Sequence, residues 1–167
     1  KSMIKLILLD VDGTLTDGGV YHGNDGNEIK KFNVKDGFAI VNARKIGIEF
    51  GIVTGGRGKL LEYRAKKLKI KYLFSENDRK EQILTEIMSQ TGLKSEEIAY
   101  MGDDLNDINI IKKVGFSGAP ADAVNEVLEI VDFVSEKKGG NGAVREFIEF
   151  VLKKENLYEE FLKVCLI

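Results

Sequence analysis

A chain of 167 residues with one cysteine, Cys165, has no material for an internal disulfide framework, and that shortage fits a reducing cytosol. An excess of charge of one sign is also missing. The 25 lysines and arginines stand against 27 aspartates and glutamates, a formal net charge of −2, so no broad basic face invites nucleic acid or an anionic membrane. No apolar run approaches the roughly 18 residues needed to span a bilayer. The opening KSMIKLILLD passes straight into a pair of aspartates, which predicts no signal peptide. The one histidine, His22, has no second histidine and no cysteine near it in sequence, and is expected at the surface or an interface rather than as a metal ligand. Internal repeats, low-complexity tracts and linkers are lacking too, so the expectation is one cytoplasmic domain over residues 1–167, with neither membrane nor nucleic acid as partner.

What is present is an ordinary globular composition, 43% hydrophobic and 31% charged, in a chain long enough to build a sizeable core. Short apolar runs alternate with helical patterns. Strands are expected at Ile4–Leu9, Ile48–Val53, Tyr72–Phe74, Ile98–Met101, Phe116–Ala119 and Val131–Ser135. Helices are expected over Asp36–Ile46 with Gly47 as a cap, Lys59–Lys69, Arg79–Ser89, Leu105–Val114, Val124–Ile130, and from near Gly142 onward. Gly18–Phe32 reads as a hairpin flap around the turn residues Gly23-Asn24-Asp25-Gly26-Asn27, and residues 156–167 read as an apolar tail. Such alternation predicts an α/β fold: a doubly wound, mainly parallel sheet with helices on both faces.

In doubly wound sheets, ligands sit beyond the carboxyl ends of the strands. Three strand ends here carry polar groups: Asp10 and Asp12 after the first strand, Thr54 and Gly55 after the second, and Asp103, Asp104 and Asp107 after Met101. Two carboxylates about 4 Å apart repel by roughly 4 kcal/mol at an effective dielectric of about 20, so something must offset the charge of the Asp10–Asp12 pair. A hard divalent cation is suited to that task. Taken singly, each motif has a plainer reading. DVDGT can be a turn, Asp103 and Asp104 can cap a helix, Thr-Gly ends many strands, and most lysines are solvated. Their joint occurrence, in this order on this scaffold, is the stronger signal.

The set Asp10-x-Asp12-Gly13-Thr14, Thr54-Gly55, Lys80 and Gly102-Asp103-Asp104-x-x-Asp107 resembles the haloacid dehalogenase superfamily of phosphohydrolases. LTDG at 15–18, FNVKDG at 32–37 and KGGNGAVRE at 138–146 extend the resemblance to its capless 3-deoxy-D-manno-octulosonate 8-phosphate phosphatases, enzymes of lipopolysaccharide precursor synthesis. The resemblance implies Asp10 as nucleophile forming an aspartyl-phosphate and Asp12 as general acid and then general base. It implies Mg²⁺ held by Asp10, Asp103 and the backbone carbonyl of Asp12. Thr54 and Gly55 would bind phosphate oxygens, and Lys80 would neutralise the phosphoryl group. Asp104 and Asp107 are expected to support these groups rather than ligate the metal.

The segments between Asp12 and Thr54, and between Thr54 and Lys80, hold no room for a cap domain. A neighbouring subunit is therefore expected to cover the site, with the hairpin as contact, and the resemblance implies a homotetramer. It also implies that Asn33, Val34, Lys35, Asp36 and Gly37, at a helix start whose backbone N–H groups suit an anion, bind the sugar acid together with Arg64 and Asn106. Val41 and Gly56 stand where many relatives have arginine; Arg57 and Arg44 lie nearby, and Arg145 also matches the family. Gly56 equally departs from the branch acting on nonulosonate 9-phosphates. The alternatives are a phosphatase for such a related keto-sugar acid, a broad-specificity phosphatase, and a non-catalytic oligomerisation domain.

Overall fold

A computed structural model describes residues 3–167; residues 1 and 2 of the expected domain lie outside the described residues. Six parallel strands form the central sheet: β1 (Leu6–Leu9), β4 (Glu49–Val53), β5 (Tyr72–Phe74), β6 (Ile98–Met101), β7 (Phe116–Ala119) and β8 (Phe133–Val134). Their order across the sheet is β5-β4-β1-β6-β7-β8. The chain winds from β1 out through β4 to β5, then crosses back over β1 to β6. The reversal leaves a crevice at the carboxyl ends of β1 and β6, where α/β sheets bind ligands.

β1 is buried on both faces, and its side chains alternate between two apolar cores. Ile7 and Leu9 pack with Phe50, Ile52, Phe147 and Ile148, whereas Leu6 and Leu8 pack with Ile83, Ile87, Tyr100 and Val127. The first core is covered by α1 (Val34–Lys45), α2 (Lys59–Lys67), α6 (Ala143–Lys154) and α7 (Tyr158–Cys165); the second by α3 (Lys80–Thr91), α4 (Ile108–Ile111) and α5 (Asn125–Leu128). The expected flap is a two-stranded antiparallel hairpin, β2 (Tyr21–His22) and β3 (Glu28–Ile29), rooted by a bridge between Thr16 and Phe32. Among the described residues, only this hairpin and α1 lie between Asp12 and β4, so no cap domain is inserted there.

Several boundaries move for identifiable reasons. α1 starts two residues before the expected Asp36, because the Asn33 side chain accepts from the Lys35 and Asp36 amides and caps the helix there. The helix expected over 105–114 is a 3₁₀ turn, Leu105–Asp107, followed by a single α turn; Gly115 then donates to the Ser95 and Ile98 carbonyls. The last strand is shorter than 131–135, because the Asp132 carboxylate takes the Ser117 amide and hydroxyl. Residues 156–167 do not form a separate tail: α7 seats Phe161 in the first core against α1 and α6. Cys165, half-buried, packs there as well.

Candidate active site

Just past β1 lies Asp10, whose amide donates to the Met101 carbonyl at 3.0 Å and so joins the two central strand ends. Beyond it, Val11–Leu15 makes a tight turn that breaks regular helical geometry at Asp12 and Gly13. Gly13 has φ +88°, and a β-carbon there would collide with the Asp103 carboxylate, so glycine is what allows the two loops to close on each other. Thr14 donates its hydroxyl to Asp103 Oδ1 at 3.4 Å. The Gly139–Gly140 segment braces the same turn from behind, with the Gly140 amide on the Thr14 carbonyl at 3.1 Å.

Lys80, at the start of α3, has a side chain 0% exposed. Its Nζ donates to Asp10 Oδ1 at 2.8 Å and to Asp107 Oδ1 at 2.7 Å, and lies 3.1 Å from the Tyr100 hydroxyl. The Tyr100 hydroxyl in turn donates to Asp107 Oδ1. The second oxygen of Asp107 accepts from the Asp103 and Asp104 amides at 2.9 and 3.0 Å. Both oxygens of Asp107 are thus engaged, and it clamps the acidic loop onto Lys80.

Charge in this cluster is strongly perturbed. Burial by itself pulls the Lys80 pKa down, but Asp10 and Asp107 outweigh it and the net shift is upward, so the ammonium persists. Burial and then the Asp107 charge push Asp10 up to about 6 against the pull of Lys80. Burial, followed by the hydrogen bond to and charge of Asp10, pushes Asp103 up to about 9. Burial also holds Tyr100 well above its ordinary value, as a neutral donor.

Asp10, Asp12, Thr54, Gly55, Gly56, Asp103, Asp104 and Asn106 line one cavity of about 230 Å³. Thr54 is buried, and its Oγ1 accepts from the Gly56 amide at 3.1 Å, leaving its hydroxyl hydrogen free to donate to a ligand. Asp104 caps the 105–107 turn through the Leu105 amide at 2.7 Å. Asp12 is half-exposed, and Lys30 of the flap reaches it with Nζ at 2.8 Å from Oδ1. Burial of Lys30 would lower its pKa, but the hydrogen bonds and charges of Asp12 and Glu28 prevail and raise it. Arg57 lies at the edge, fully outside the cluster, with Nη1 3.4 Å from Glu76.

The remaining expected site residues are elsewhere. The Lys35 and Asp36 amides are taken by the Asn33 side chain and the Gly37 amide by the Asn33 carbonyl, which corrects the expectation that this helix start offers its N–H groups to an anion. Asp36 is buried, accepting the Arg145 amide at 2.9 Å on Oδ1, and Arg145 pairs with Glu149 at 2.7 Å. Burial, opposed by the Arg145 amide and the Arg64 and Arg145 charges, pushes Asp36 up to about 6. Arg64 donates to the Asn33 carbonyl at 3.3 Å and lies over the Phe32 ring. Together with Val34, Gly37, Val41 and the end of α7 it lines a different cavity, of about 540 Å³.

Two members of the central assembly were not legible as site residues. Tyr100 reads as one more apolar position of a buried strand, and Lys30 as one lysine in a lysine-rich chain. Only their location beside Asp107 and Asp12 marks them.

A family model described as haloacid dehalogenase-like hydrolase matches residues 72–148. The 3-deoxy-D-manno-octulosonate 8-phosphate phosphatase KdsC of Escherichia coli K12 is 40% identical over 157 residues, covering 94% of this chain and 84% of that one. The crystal structure of the Yersinia pestis phosphatase of the same name superposes with a TM-score of 0.91 at 40% identity, over 93% of this chain and 84% of that one. That of the Moraxella catarrhalis phosphatase, in complex with magnesium ion, phosphate ion and KDO, superposes with a TM-score of 0.93 at 34% identity, over 96% and 92%. With its acidic strand ends, its buried lysine and this degree of likeness, the chain belongs to the haloacid dehalogenase-like hydrolases, in the family of phosphatases that these KdsC relatives represent.

Proposed function

We propose that this phosphatase hydrolyses 3-deoxy-D-manno-octulosonate 8-phosphate in the cytoplasm, as a step of lipopolysaccharide precursor synthesis, through a phosphoryl group carried on Asp10. The observation that carries the mechanism is the placement of Asp10 at the cavity floor with one carboxylate oxygen committed to a fully buried ammonium. Lys80 on Oδ1 leaves Oδ2 to attack phosphorus, and its charge lowers the repulsion between that oxygen and the incoming phosphate. The Oδ2–P bond forms as the bond to the sugar oxygen breaks, and Asp12 gives that oxygen a proton. Asp12, now a carboxylate, takes a proton from the water that attacks phosphorus and releases Asp10. Thr54 and Gly55 receive phosphate oxygens at the other wall, and Asn106 lies beside them.

The donor set fits Mg²⁺. Asp10 and Asp103 offer only oxygens, and burial together with the nearness of Asp10 drives Asp103 up to about 9, so a hard dication is suited to let both ionise together. Asp107 lies within the same carboxylate cluster, but its oxygens are already held by Lys80, Tyr100 and two amides. The holders in this reading are Asp10 and Asp103, with the Asp12 carbonyl that the family resemblance implies. When bound there, the ion would neutralise charge on the transferring phosphoryl group.

The working form in this reading is a homotetramer in which a neighbour covers the cavity. Support comes from the flap, which exposes Val20, Tyr21 and Ile29, and from the Asn33–Arg64 group, which does not line the cavity that holds Asp10 in its own chain. A sugar acid contacted by Asn33, Val34, Lys35, Arg64 or Arg145 would be contacted across that interface. Among the described residues no helix is long and apolar enough to cross a membrane.

A second reading, tolerance for other sugar-acid phosphates, is favoured by Gly56. It leaves the wall beside Asp12 without a side chain, a β-carbon there standing 3.9 Å from Asp12 Oδ2. A panel of phosphorylated sugar acids, assayed with Mg²⁺ and after chelation, separates the two. One strongly preferred octulosonate substrate and activity restored by Mg²⁺ are expected; near-equal kcat/KM across the panel favours the second reading. Asp10→Asn is expected to lose turnover by roughly 10⁴-fold or more while keeping its circular dichroism spectrum. Turnover persisting in that variant overturns the mechanism.

A further inference from the structure

We propose that Lys30, carried by the flap, determines which oxygen of Asp12 holds the proton given to the leaving group; this rests on the reading of Asp12 as general acid. Asp12 is 47% exposed, and Lys30 is its one side-chain partner among the described residues. A carboxyl group in that situation turns about its last torsion and presents either oxygen. Lys30 removes the freedom. Its Nζ is 2.8 Å from Asp12 Oδ1 and 3.3 Å from Glu28 Oε1, so the ammonium is held between two acids.

An ammonium donates and never accepts. Asp12 Oδ1 therefore acts as acceptor in the ionised and in the protonated form alike, and because the carbonyl oxygen of a protonated carboxyl accepts better than its hydroxyl oxygen, the lysine biases the proton on Asp12 towards Oδ2. That oxygen faces the phosphate cradle: the β-carbon position of Gly56, which lies 3.4 Å from Thr54 Oγ1, is 3.9 Å from Asp12 Oδ2. The lysine thus directs the proton to the side where the scissile bond must lie. During transfer, the electron pair of the breaking P–O bond goes to the leaving oxygen, which takes the Oδ2 proton. Asp12 remains as a carboxylate still bonded through Oδ1 to Lys30.

The flap is built to deliver this residue. The Lys30 side chain is 15% exposed, against 59% for Lys5 in an ordinary surface pair. Its neighbour Lys31 ties the flap base to the 139–142 loop, through Asn141 Oδ1 at 3.1 Å. Lys30 is a positioning residue in this account: it touches the acid rather than the substrate, and the flap's placement becomes a condition for proton transfer.

The experiment is kcat/KM for a series of substituted phenyl phosphates, from p-nitrophenyl to unsubstituted phenyl. These carry no sugar, and their leaving groups need a proton to graded extents. Lys30→Met is expected to lose roughly 10²-fold on phenyl phosphate and about tenfold less on p-nitrophenyl phosphate, whose phenolate departs unprotonated. The thermal midpoint should stay unchanged, and Lys30→Arg, which also donates only, should restore the wild-type dependence on leaving group. Equal losses across the series in Lys30→Met, or a steepened dependence that persists in Lys30→Arg, overturn the proposal. Asp12→Asn is run alongside: if its losses do not grow toward phenyl phosphate, the general-acid reading itself fails, a result distinct from failure of the lysine's role.

Discussion

Two polar clusters in this molecule were expected to serve one substrate, and they are built on opposite principles. The Lys80–Asp10–Asp107–Tyr100 cluster lies at the meeting point of β1, β6 and α3, with the Lys80 and Asp107 side chains both 0% exposed. Every charge in it is partnered, and one member, Asp10, opens onto the cavity. The Asn33–Asp36–Arg64–Arg145 cluster joins α1, α2 and α6 and spends its donors on itself: Asn33 caps α1, Asp36 receives the start of α6, and Arg64 ties back to Asn33. It also leaves Asp36 Oδ2 and Arg64 Nε buried without partners. The lesson is that buried charge marks a reaction centre when its partnered core presents a reactive oxygen to a cavity, and a joint between helices when its donors and acceptors are spent on holding elements together, even beside open space such as the cavity that Arg64 lines.

The sharpest way to break that contrast is Lys80→Met. Removing the one cation leaves Asp10 and Asp107 uncompensated in the interior, and about 3–5 kcal/mol of folding stability should go with it, along with turnover. Urea unfolding and a phosphate-release assay check both. A variant of unchanged stability would mean that the acids are neutral at rest.

The helix joint gives a pH-dependent counterpart. The Asp36 carboxyl, raised to about 6 chiefly by burial, contributes its full stability below the ordinary aspartate pKa and loses it as pH rises through about 6. Asp36→Asn should therefore gain on the parent by roughly 3 kcal/mol between pH 4 and pH 7. Denaturation midpoints measured across that window test it, and a constant difference would show that the carboxyl is not desolvated. Tyr100→Phe should have the smallest effect, a loss of about 1–2 kcal/mol from the hydrogen bond to Asp107 and a several-fold fall in kcat with KM held. A change in KM alone would mean that the hydroxyl serves the ligand rather than Asp107.

Much of this arrangement was legible along the chain. Runs such as Leu6–Leu9 and Ile98–Met101 announce buried strands, and polar residues directly after them fall at one edge of a parallel sheet by rule. Asp10, Asp12, Thr54 and Asp103 could be placed at that edge from the strand ends they follow, and Asn106 from the family resemblance. The Asn33–Gly37 segment was harder. A helix start has free amides only if no local side chain takes them, and whether Asn33 turns inward or outward depends on the backbone just before it. The helix expected across 105–114 failed for a related reason, since turn hydrogen bonds of Asp104 and Gly115 outcompeted its period.

By itself the sequence determined the alternation of strands and helices, the polar groups at the strand ends, and the chemistry that such acids with a lysine can perform, because these are properties of local pattern and residue type. Only tertiary structure decided that Tyr100 completes the buried cluster, that Lys30 closes on Asp12, that Arg64 lines a different cavity, and that Arg145 pairs with Glu149 at the joint between α1 and α6. Those outcomes depend on distances between segments far apart in the chain, and a few ångströms separate an ion pair from two solvated charges.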